Sequence, residues 1–555
     1  MPYAGSPAAF FTLLFLSLFL LFFYFGSAVP YTPLSIFFRF WSAVADSSLI
    51  TIPCMLLRGK YRTLALPVPF VIAFLLIANL LYFRNFNDMI PPSLYRLEGI
   101  ADPTVTTSAR SSLEFPDIIL AIAPFIPVFH MLAFRKKGVL GKTFPKRAFL
   151  SFAGISLLAW GITTAGAVRR QRLFPESAGD ESHPSAQFIR SWSYYCHSRN
   201  FTGYAAKILT SIRGVRISLD AEDIRDIRER FQYKSREGDA PEVPAGLRPR
   251  NLIFIVVESL PFRVLETDAN AAAPVLSRLA ADSAAIVGKC KVLAGYGRSS
   301  DAQFIYNTGL LPLRTEPFVT NYSHNDYPSL AKALGCGSLE VIGEDKDLWS
   351  HSATSASYGF GRLVSGLAPD AINQDSIILD RAFREISRSR EGCFMFVTTL
   401  SMHNSYLERA VSRPSPLPLP PGRDERDIEY LYRLNHFDRA LGRFISRLKA
   451  AGEFDGTLIV IAGDHEISKA DISPWLQDDS VPLIIINSPL ECTGNTLALT
   501  QLDVFPSILD MAGVSGYRFF GVGYRGLGNS IFRSRRTEIT EKDYRISEMI
   551  IKNIR

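Results

Sequence analysis

The long apolar runs of this chain all lie in its first third. Residues 10–29 form an almost uninterrupted apolar segment, long enough to cross a bilayer as a helix. Residues 64–82, 117–134 and 148–168 are further candidates of suitable length, and residues 39–57, which include Asp46, form a weaker one. We therefore expect a bundle of about five transmembrane helices within residues 1–168.

Basic residues crowd two of the short connections between these segments. One connection carries Arg58, Lys60 and Arg62, and residues 135–147 carry six lysines and arginines. Because basic loops tend to stay in the cytoplasm, both connections and the N-terminus are predicted to be cytoplasmic. Three arginines at 169–172 argue mildly against this orientation. The chain after about residue 170 is then predicted to be extracytoplasmic.

The net charge of the chain bears on the kind of partner it binds. The formal net charge of +7 suggests affinity for anionic surfaces. Since many basic residues lie between apolar segments, the charge fits membrane topology better than nucleic-acid binding, and we expect no nucleic-acid partner.

The six cysteines form no CxxC pair and show no zinc-type spacing. Sparse buried thiols are the favoured interpretation, with one or two disulfides left open.

From residue 251 onward the pattern becomes that of an α/β domain. Residues 169–250 are polar and predict a juxtamembrane stalk, with a surface helix at 221–234 and a linker at 238–249. Apolar, β-branched runs at 251–259, 393–401, 457–465 and 481–487 predict buried strands. Apolar residues at helical spacing predict helices at 273–281, 326–334 and 428–450. This alternation predicts a mostly parallel sheet flanked by helices, with function at the carboxyl ends of its strands.

Polar residues close two of these predicted strands. Glu258 follows the first strand, and Asp464 and His465 directly follow a later one. A carboxylate at a strand end is ordinary, because loops begin there. Adjacent Asp and His residues after a buried strand are more informative, and the three side chains form a nitrogen and oxygen ligand set suited to zinc or manganese. A metal site and an ordinary set of loop residues both remain open from spacing alone.

A glycine-bearing turn, GYGRSSDAQF at 295–304, leads into another predicted helix. A serine at a helix start usually serves as an N-cap, which is one interpretation of Ser299. The same position places a hydroxyl beside free backbone N–H groups and the positive end of the helix dipole, where a phosphate binds well. A metal there could activate the hydroxyl, so Ser299 is also a candidate nucleophile.

Several motifs together resemble one known family. They are the ES of NLIFIVVESL, then GYGRSSDAQF, LWS, TLSMHNSY, IAGDHE and TQLDVFPSILDMAGVSG, in that order. They resemble the lipoteichoic acid synthase family, which belongs to the alkaline phosphatase/sulfatase superfamily and includes phosphoglycerol transferases. The resemblance covers roughly residues 251–531. It implies an alkaline-phosphatase-like catalytic domain at 251–535, a C-terminal tail at 536–555, and a multi-pass anchor in the bacterial inner (cytoplasmic) membrane.

The resemblance also implies a metal centre and a nucleophile. It assigns Glu258, Ser299, Asp464 and His465 to one divalent metal, usually manganese in this family, with zinc or magnesium as alternatives. Ser299 lies where the family nucleophile, commonly a threonine, is found. Ser300 is the fallback nucleophile if the register is shifted by one, and is otherwise expected in the substrate site.

Three further residues are implied to contact the substrate head group. His403 matches a family histidine near the head group, with a general-acid or phosphate-binding role, although an ordinary loop histidine is the competing interpretation. Trp349 matches a tryptophan that lines the pocket. His351 occupies the position of a family arginine that grips the phosphoglycerol group, and Ile342 replaces an expected histidine. These departures put the head-group specificity in doubt.

The function implied is a membrane-anchored, metal-dependent phosphotransferase. It would move a phosphoglycerol-type group from a phospholipid donor to a glycan or lipid acceptor through a phosphoserine intermediate. A phosphoethanolamine transferase or a phosphodiesterase of the same superfamily is the first alternative, and a non-catalytic lipid-sensing regulator is the second. A sulfatase is disfavoured, because Ser299 and Cys290 lack the following x-Pro-x-Arg that those enzymes require.

Overall fold

The computed structural model divides the chain into two compact units, residues 1–95 with 109–212 and residues 96–108 with 213–555. In the first unit it describes residues 37, 40–48, 67–86, 90, 94–95, 113, 115–122, 125, 150, 153–159 and 161–162. In the second it describes residues 214, 216–235, 241–314, 316–367, 374–389, 392–403, 416–417, 421–467, 472–492, 496–533 and 538–553.

The first unit contains two helices with defined bounds. They are α1 (Val68–Phe86) and α2 (Phe115–Ile122), which overlap the predicted segments at 64–82 and 117–134. In the described part of the chain, no helix combines the length and the apolar character needed to cross a bilayer. The predicted segment at 10–29 lies outside the described residues.

The second unit is built around one eight-stranded sheet with the order β4-β3-β5-β1-β6-β7-β2-β8. Its strands are β1 (Asn251–Val257), β2 (Ile286–Lys291), β3 (Ser338–Val341), β4 (Arg362–Val364), β5 (Phe394–Thr398), β6 (Thr457–Gly463), β7 (Ser480–Ile486) and β8 (Leu497–Thr500). Only β7 runs antiparallel to its neighbours β6 and β2. The predicted mostly parallel sheet is thus confirmed. A separate hairpin joins β9 (Arg518–Phe519) and β10 (Val522–Gly523).

Helices cover both faces of this sheet. They are α3 (Ala221–Ser235), α4 (Arg263–Glu266), α5 (Pro274–Ala281), α6 (Ser299–Thr308), α7 (Val319–Tyr322), α8 (Leu330–Leu334), α9 (His351–Ser357), α10 (Gln374–Ile386), α11 (Glu425–Ala450), α12 (Val504–Met511) and α13 (Glu541–Asn553). The helix predicted at 326–334 begins only at Leu330, because the Ser329 side chain accepts a hydrogen bond from Lys332 N and caps it.

Two hydrophobic cores lie on opposite faces of the sheet. Alternate residues of β1 contribute to each: Leu252, Phe254 and Val256 to one, and Ile253, Ile255 and Val257 to the other. The first core also contains residues of α6, α12 and α13, and the second contains residues of α5, α10 and α11. Burial on both faces explains why β1 reads as a continuous apolar run with no polar alternation.

Segments before residue 251 and after residue 535 pack into the first core. Ile227 and Phe231 of α3 are fully buried there, as are Ile546 and Ile550 of α13. Where the sequence predicted a tail at 536–555, the structure has α13, with its apolar residues on one face of the helix. The domain covers this face, and burial of these apolar residues stabilises the helix.

We expect Ile550→Ala to destabilise the second unit, because it removes a fully buried side chain from the first core. The free energy of unfolding should fall by about 2–5 kcal/mol in a urea titration of the full chain. The matched control is Ile377→Ala on α10, where the side chain is 40% exposed, and it should change stability by no more than about 0.5 kcal/mol. Equal, small losses in both variants would show that α13 does not pack as described.

Candidate metal centre and nucleophile

The candidate metal ligands meet because β1 and β6 are neighbouring parallel strands. Val257 and Gly463 are register partners at the ends of these strands. Glu258 follows one of them, and Asp464 and His465 follow the other, so their side chains emerge at the same edge. One ligand atom from each of the three residues lies within 4.8 Å of the others, and all three residues are buried.

Ser259 ties the two carboxylates together, a role that the sequence analysis did not predict. Its Oγ donates to Glu258 Oε1 at 2.7 Å, and its backbone N–H donates to Asp464 Oδ1 at 2.7 Å. The residue has a positive φ of 49°, an uncommon backbone conformation for a non-glycine residue. A serine next to a strand-end glutamate was visible in the sequence, but its turn geometry was not.

Ser299 is the first residue of α6, and its hydroxyl faces the same cluster. Its Oγ donates to Glu258 Oε2 at 3.0 Å and lies 3.1 Å from His465 Nε2. The preceding residue, Arg298, occupies the N-cap position of the helix. The structure thus directs the Ser299 hydroxyl to the predicted metal ligands rather than to the helix N-cap.

The neighbouring Ser300 has a different environment. Its Oγ donates to Gly297 O at 2.8 Å, within the turn that precedes the helix. Asp301 holds the same turn, because its Oδ2 accepts from the backbone N–H groups of Gly295 at 3.1 Å and Gly297 at 2.9 Å. A Cβ atom on Gly297 would lie 2.3 Å from Asp301 Oδ1, which explains the glycine at this position.

The buried carboxylates form an environment that suits a cation. Burial, and then the nearby Glu258 carboxylate, raise the pKa of Asp464 well above its usual range. Asp464 Oδ2 is buried and forms no hydrogen bond with any residue that the structure describes. Two like charges in one buried site repel each other, and a divalent cation would relieve that repulsion. The donor set of carboxylates, hydroxyl and imidazole fits manganese or zinc.

His465 is oriented for such a role. Burial lowers its pKa to about 4, with a contribution from the Arg298 guanidinium, so the imidazole is neutral at pH 7. Its Nδ1 lies 2.8 Å from Glu466 O. Because a carbonyl oxygen can only accept, Nδ1 carries the proton. The lone pair of Nε2 is then free to face Ser299 and the carboxylates.

His403 lies on the loop after β5, the other neighbour of β1. Its backbone O accepts from Arg433 at 2.7 Å, and Asp375 accepts from the backbone N–H of Leu400 and Ser401 in the same loop. His403 is close enough to Glu258 to affect the pKa of that carboxyl. Burial raises this pKa, but His465 and then His403 lower it, and the net pKa lies below its usual range. The loop is therefore held from two helices beside the candidate centre.

Trp349 and His351 lie further along the chain, between β3 and β4. Trp349 has a φ of 50° and Ser350 one of 58°, and the partly buried indole packs against the first core. His351 is buried, and its Nε2 lies 3.2 Å from Glu344 Oε2. Burial opposes its protonation, but Glu344 and Glu340 outweigh that effect and raise the pKa of His351. His351 is thus paired with an acidic side chain in its own segment.

Comparisons with known proteins agree with the resemblance that the motifs carry. Residues 6–178 match the family model "Lipoteichoic acid synthase N-terminal domain", and residues 319–514 match the model "Sulfatase". A lipoteichoic acid synthase of Staphylococcus saprophyticus is 22% identical over 514 residues, covering 86% of this chain and 77% of that protein. Lipoteichoic acid synthase 2 of Bacillus subtilis is 23% identical over 495 residues, covering 82% and 72%.

One solved structure is similar over nearly the whole chain. It is the integral membrane protein lipooligosaccharide phosphoethanolamine transferase A of Neisseria meningitidis, with a TM-score of 0.51 and 14% identity. The similarity covers 92% of this chain and 96% of that one. At this level of identity it supports the fold alone.

We expect the full chain to bind Mn²⁺, and Asp464→Asn to weaken that binding roughly tenfold or more. The substitution removes one of the two buried carboxylates that would balance the cation's charge. The control is Asp438→Asn, which alters an equally buried carboxylate that caps α5 through the N–H groups of Val275 and Leu276. Isothermal titration of Mn²⁺ should give wild-type affinity for the control. Equal affinity in all three proteins would rule out this cluster as the metal site.

Proposed function

Since this chain belongs to the lipoteichoic acid synthase family of the alkaline phosphatase/sulfatase superfamily, we propose that it is a membrane-anchored phosphotransferase with Ser299 as its nucleophile. It would carry a phosphoglycerol-type head group from a membrane phospholipid to a glycan or lipid acceptor. The observation that supports this most directly is the position of Ser299 Oγ, 3.0 Å from Glu258 Oε2 and 3.1 Å from His465 Nε2.

The reaction would proceed in two transfers. In the first, Ser299 Oγ loses its proton and bonds to the donor phosphorus, while the bond from phosphorus to the diacylglycerol oxygen breaks and that oxygen takes up a proton. In the second, an acceptor hydroxyl loses its proton and bonds to the phosphorus, while the bond from phosphorus to Ser299 Oγ breaks and that oxygen takes up a proton. The positive end of the α6 dipole would favour the negative charge on the phosphoryl oxygens.

Glu258, Ser299, Asp464 and His465 would hold one divalent metal, which we propose to be manganese. When bound, the metal would favour the deprotonated Ser299 oxygen and the charge on the phosphoryl group. The protein contributes the placement of the ligands. Ser259 orients both carboxylates, and the carbonyl of Glu466 orients the imidazole.

We assign head-group recognition to the segments beside this centre. His403 would donate the proton to the leaving diacylglycerol oxygen or bind the phosphate. Trp349 would line the pocket. His351 would approach the head group in place of an arginine, and its pairing with Glu344 makes that side of the pocket less basic than an arginine would. Ser300 would support the turn rather than act as the nucleophile, because its hydroxyl is engaged by Gly297.

The anchor and the compartment also form part of the proposal. Residues 1–168 would span the bacterial inner membrane several times with the N-terminus in the cytoplasm, residues 169–250 would link the anchor to the domain, and residues 251–535 would carry the catalytic site outside. An enzyme confined to a lipid surface meets its donor at a raised effective concentration. This would explain why a phospholipid-consuming enzyme is attached to the membrane.

The direct test is release of diacylglycerol from fluorescent phosphatidylglycerol by the detergent-solubilised full chain with Mn²⁺. We expect release by the wild type, its loss on chelation, and a fall of at least about 1,000-fold in Ser299→Ala, because the nucleophile is absent. Ser300→Ala should retain most of the activity. Activity retained in Ser299→Ala but lost in Ser300→Ala would move the nucleophile by one residue.

Other outcomes separate the alternatives. Release from phosphatidylethanolamine alone would identify a phosphoethanolamine transferase. Free glycerol phosphate, formed even when an acceptor is present, would identify a phosphodiesterase. Binding of lipid without release from either donor would contradict the enzyme proposal and favour a lipid-sensing regulator.

A further inference from the structure

The residue before the proposed nucleophile has an unusual backbone. Arg298 has φ 46° and ψ −112°, in a region that non-glycine residues rarely occupy. Such conformations persist only where surrounding contacts enforce them, and they cluster at functional sites. Glycine would adopt this backbone more easily. The arginine side chain must therefore contribute something that a glycine could not.

Arg298 makes two contacts with a single residue. Its Nη1 lies 2.5 Å from Glu466 Oε1, and its Nη2 donates to Glu466 O at 2.8 Å. Both side chains are largely covered, with 27% and 31% exposure. A guanidinium that engages a carboxylate and a carbonyl at once is held in position and orientation, which a single-point contact does not achieve.

The same carbonyl also controls the imidazole of the candidate centre. Glu466 O accepts from His465 Nδ1 at 2.8 Å as well as from Arg298 Nη2. It thereby connects the turn that presents Ser299 to the strand end that presents His465. Ser299 directly follows Arg298 in the chain, and His465 directly precedes Glu466. The Oγ of Ser299 and the Nε2 of His465 lie 3.1 Å apart.

The pair also lies within the electrostatic field of the carboxylate cluster. The carboxylates of Glu466, Asp464 and Glu258 all favour the charged form of Arg298, although burial opposes it. In return, Arg298 disfavours protonation of His465. The charges of Arg298 and Glu466 are therefore close enough to influence any cation that the cluster binds.

We propose that Arg298 and Glu466 form a positioning pair that holds Ser299 Oγ and His465 Nε2 in their reactive arrangement. This inference rests on the proposed role of Ser299. The pair does not contact the reacting atoms, and it acts by fixing the two elements that do. The strained backbone of Arg298 is retained because the side chain is needed for this connection.

Arg298→Gly distinguishes a positioning role from a structural one. The substitution relieves the positive φ, so the melting temperature should stay the same or rise. If the arginine positions Ser299, kcat should nevertheless fall by about 10- to 100-fold, with KM changed by no more than about threefold. Glu466→Ala should lower kcat similarly. The kcat of the double variant should be no lower than that of the less active single variant, because both substitutions break the same connection.

Mn²⁺ affinity gives a readout that does not depend on turnover. Removing the positive charge in Arg298→Gly should tighten Mn²⁺ binding by about tenfold, whereas removing the negative charge in Glu466→Ala should weaken it by about tenfold. The double variant should return close to the wild type. A purely structural role would weaken binding in every variant.

The control is Arg314→Ala, which breaks another doubly hydrogen-bonded arginine–glutamate pair, with Glu541, away from the candidate centre. It should leave kcat and the Mn²⁺ affinity within about twofold. Wild-type kcat in Arg298→Gly, or Mn²⁺ shifts of the same sign in both single variants, would overturn the inference. If the wild type turns over no donor, the proposed function fails, and the opposite Mn²⁺ shifts still decide whether the pair lies beside a bound cation.

Discussion

The repulsion between Glu258 and Asp464 is the constraint on which the rest of this site depends. The register of β1 with β6 places both residues at one edge of the sheet, where each is almost completely buried. Two carboxylates in a low-dielectric site are costly unless donors or a cation balance them. The surrounding hydrogen bonds, the neutral His465 and the placement of Ser299 can all be understood as responses to this concentrated negative charge.

The core of the domain holds this arrangement in place from behind. Tyr306 of α6 donates to Gly463 O at 2.6 Å, and Gln501 donates to Asp464 O at 2.6 Å and to Tyr306 Oη at 3.1 Å. These fully buried contacts connect the helix that carries Ser299 to the strand that leads into the candidate metal ligands. The distance between Ser299 and the candidate metal ligands is therefore set by packing and hydrogen bonding.

The central strands and the candidate ligands could be predicted from the sequence because their signals are local. A strand buried on both faces must be apolar throughout, and polar residues at its end stand out. The short strands β3, β4 and β8, at or next to the edges of the sheet, are three or four residues long and carry no comparable signal. The contribution of Ser259 depends on an acceptor 205 residues away in the chain, and that of Glu466 on a partner 168 residues away. Such contacts arise only from the tertiary fold, so periodicity and spacing could not reveal them.

The most direct measurement is mass spectrometry of the peptide containing Ser299 after the full chain has reacted briefly with phosphatidylglycerol and Mn²⁺ and been quenched in acid. A phosphoglycerol group attached to Ser299, absent from the chelated sample and discharged by adding acceptor, is the expected result. An unmodified Ser299 in a sample that has released diacylglycerol, or the group on a different residue, would contradict the assignment of the nucleophile.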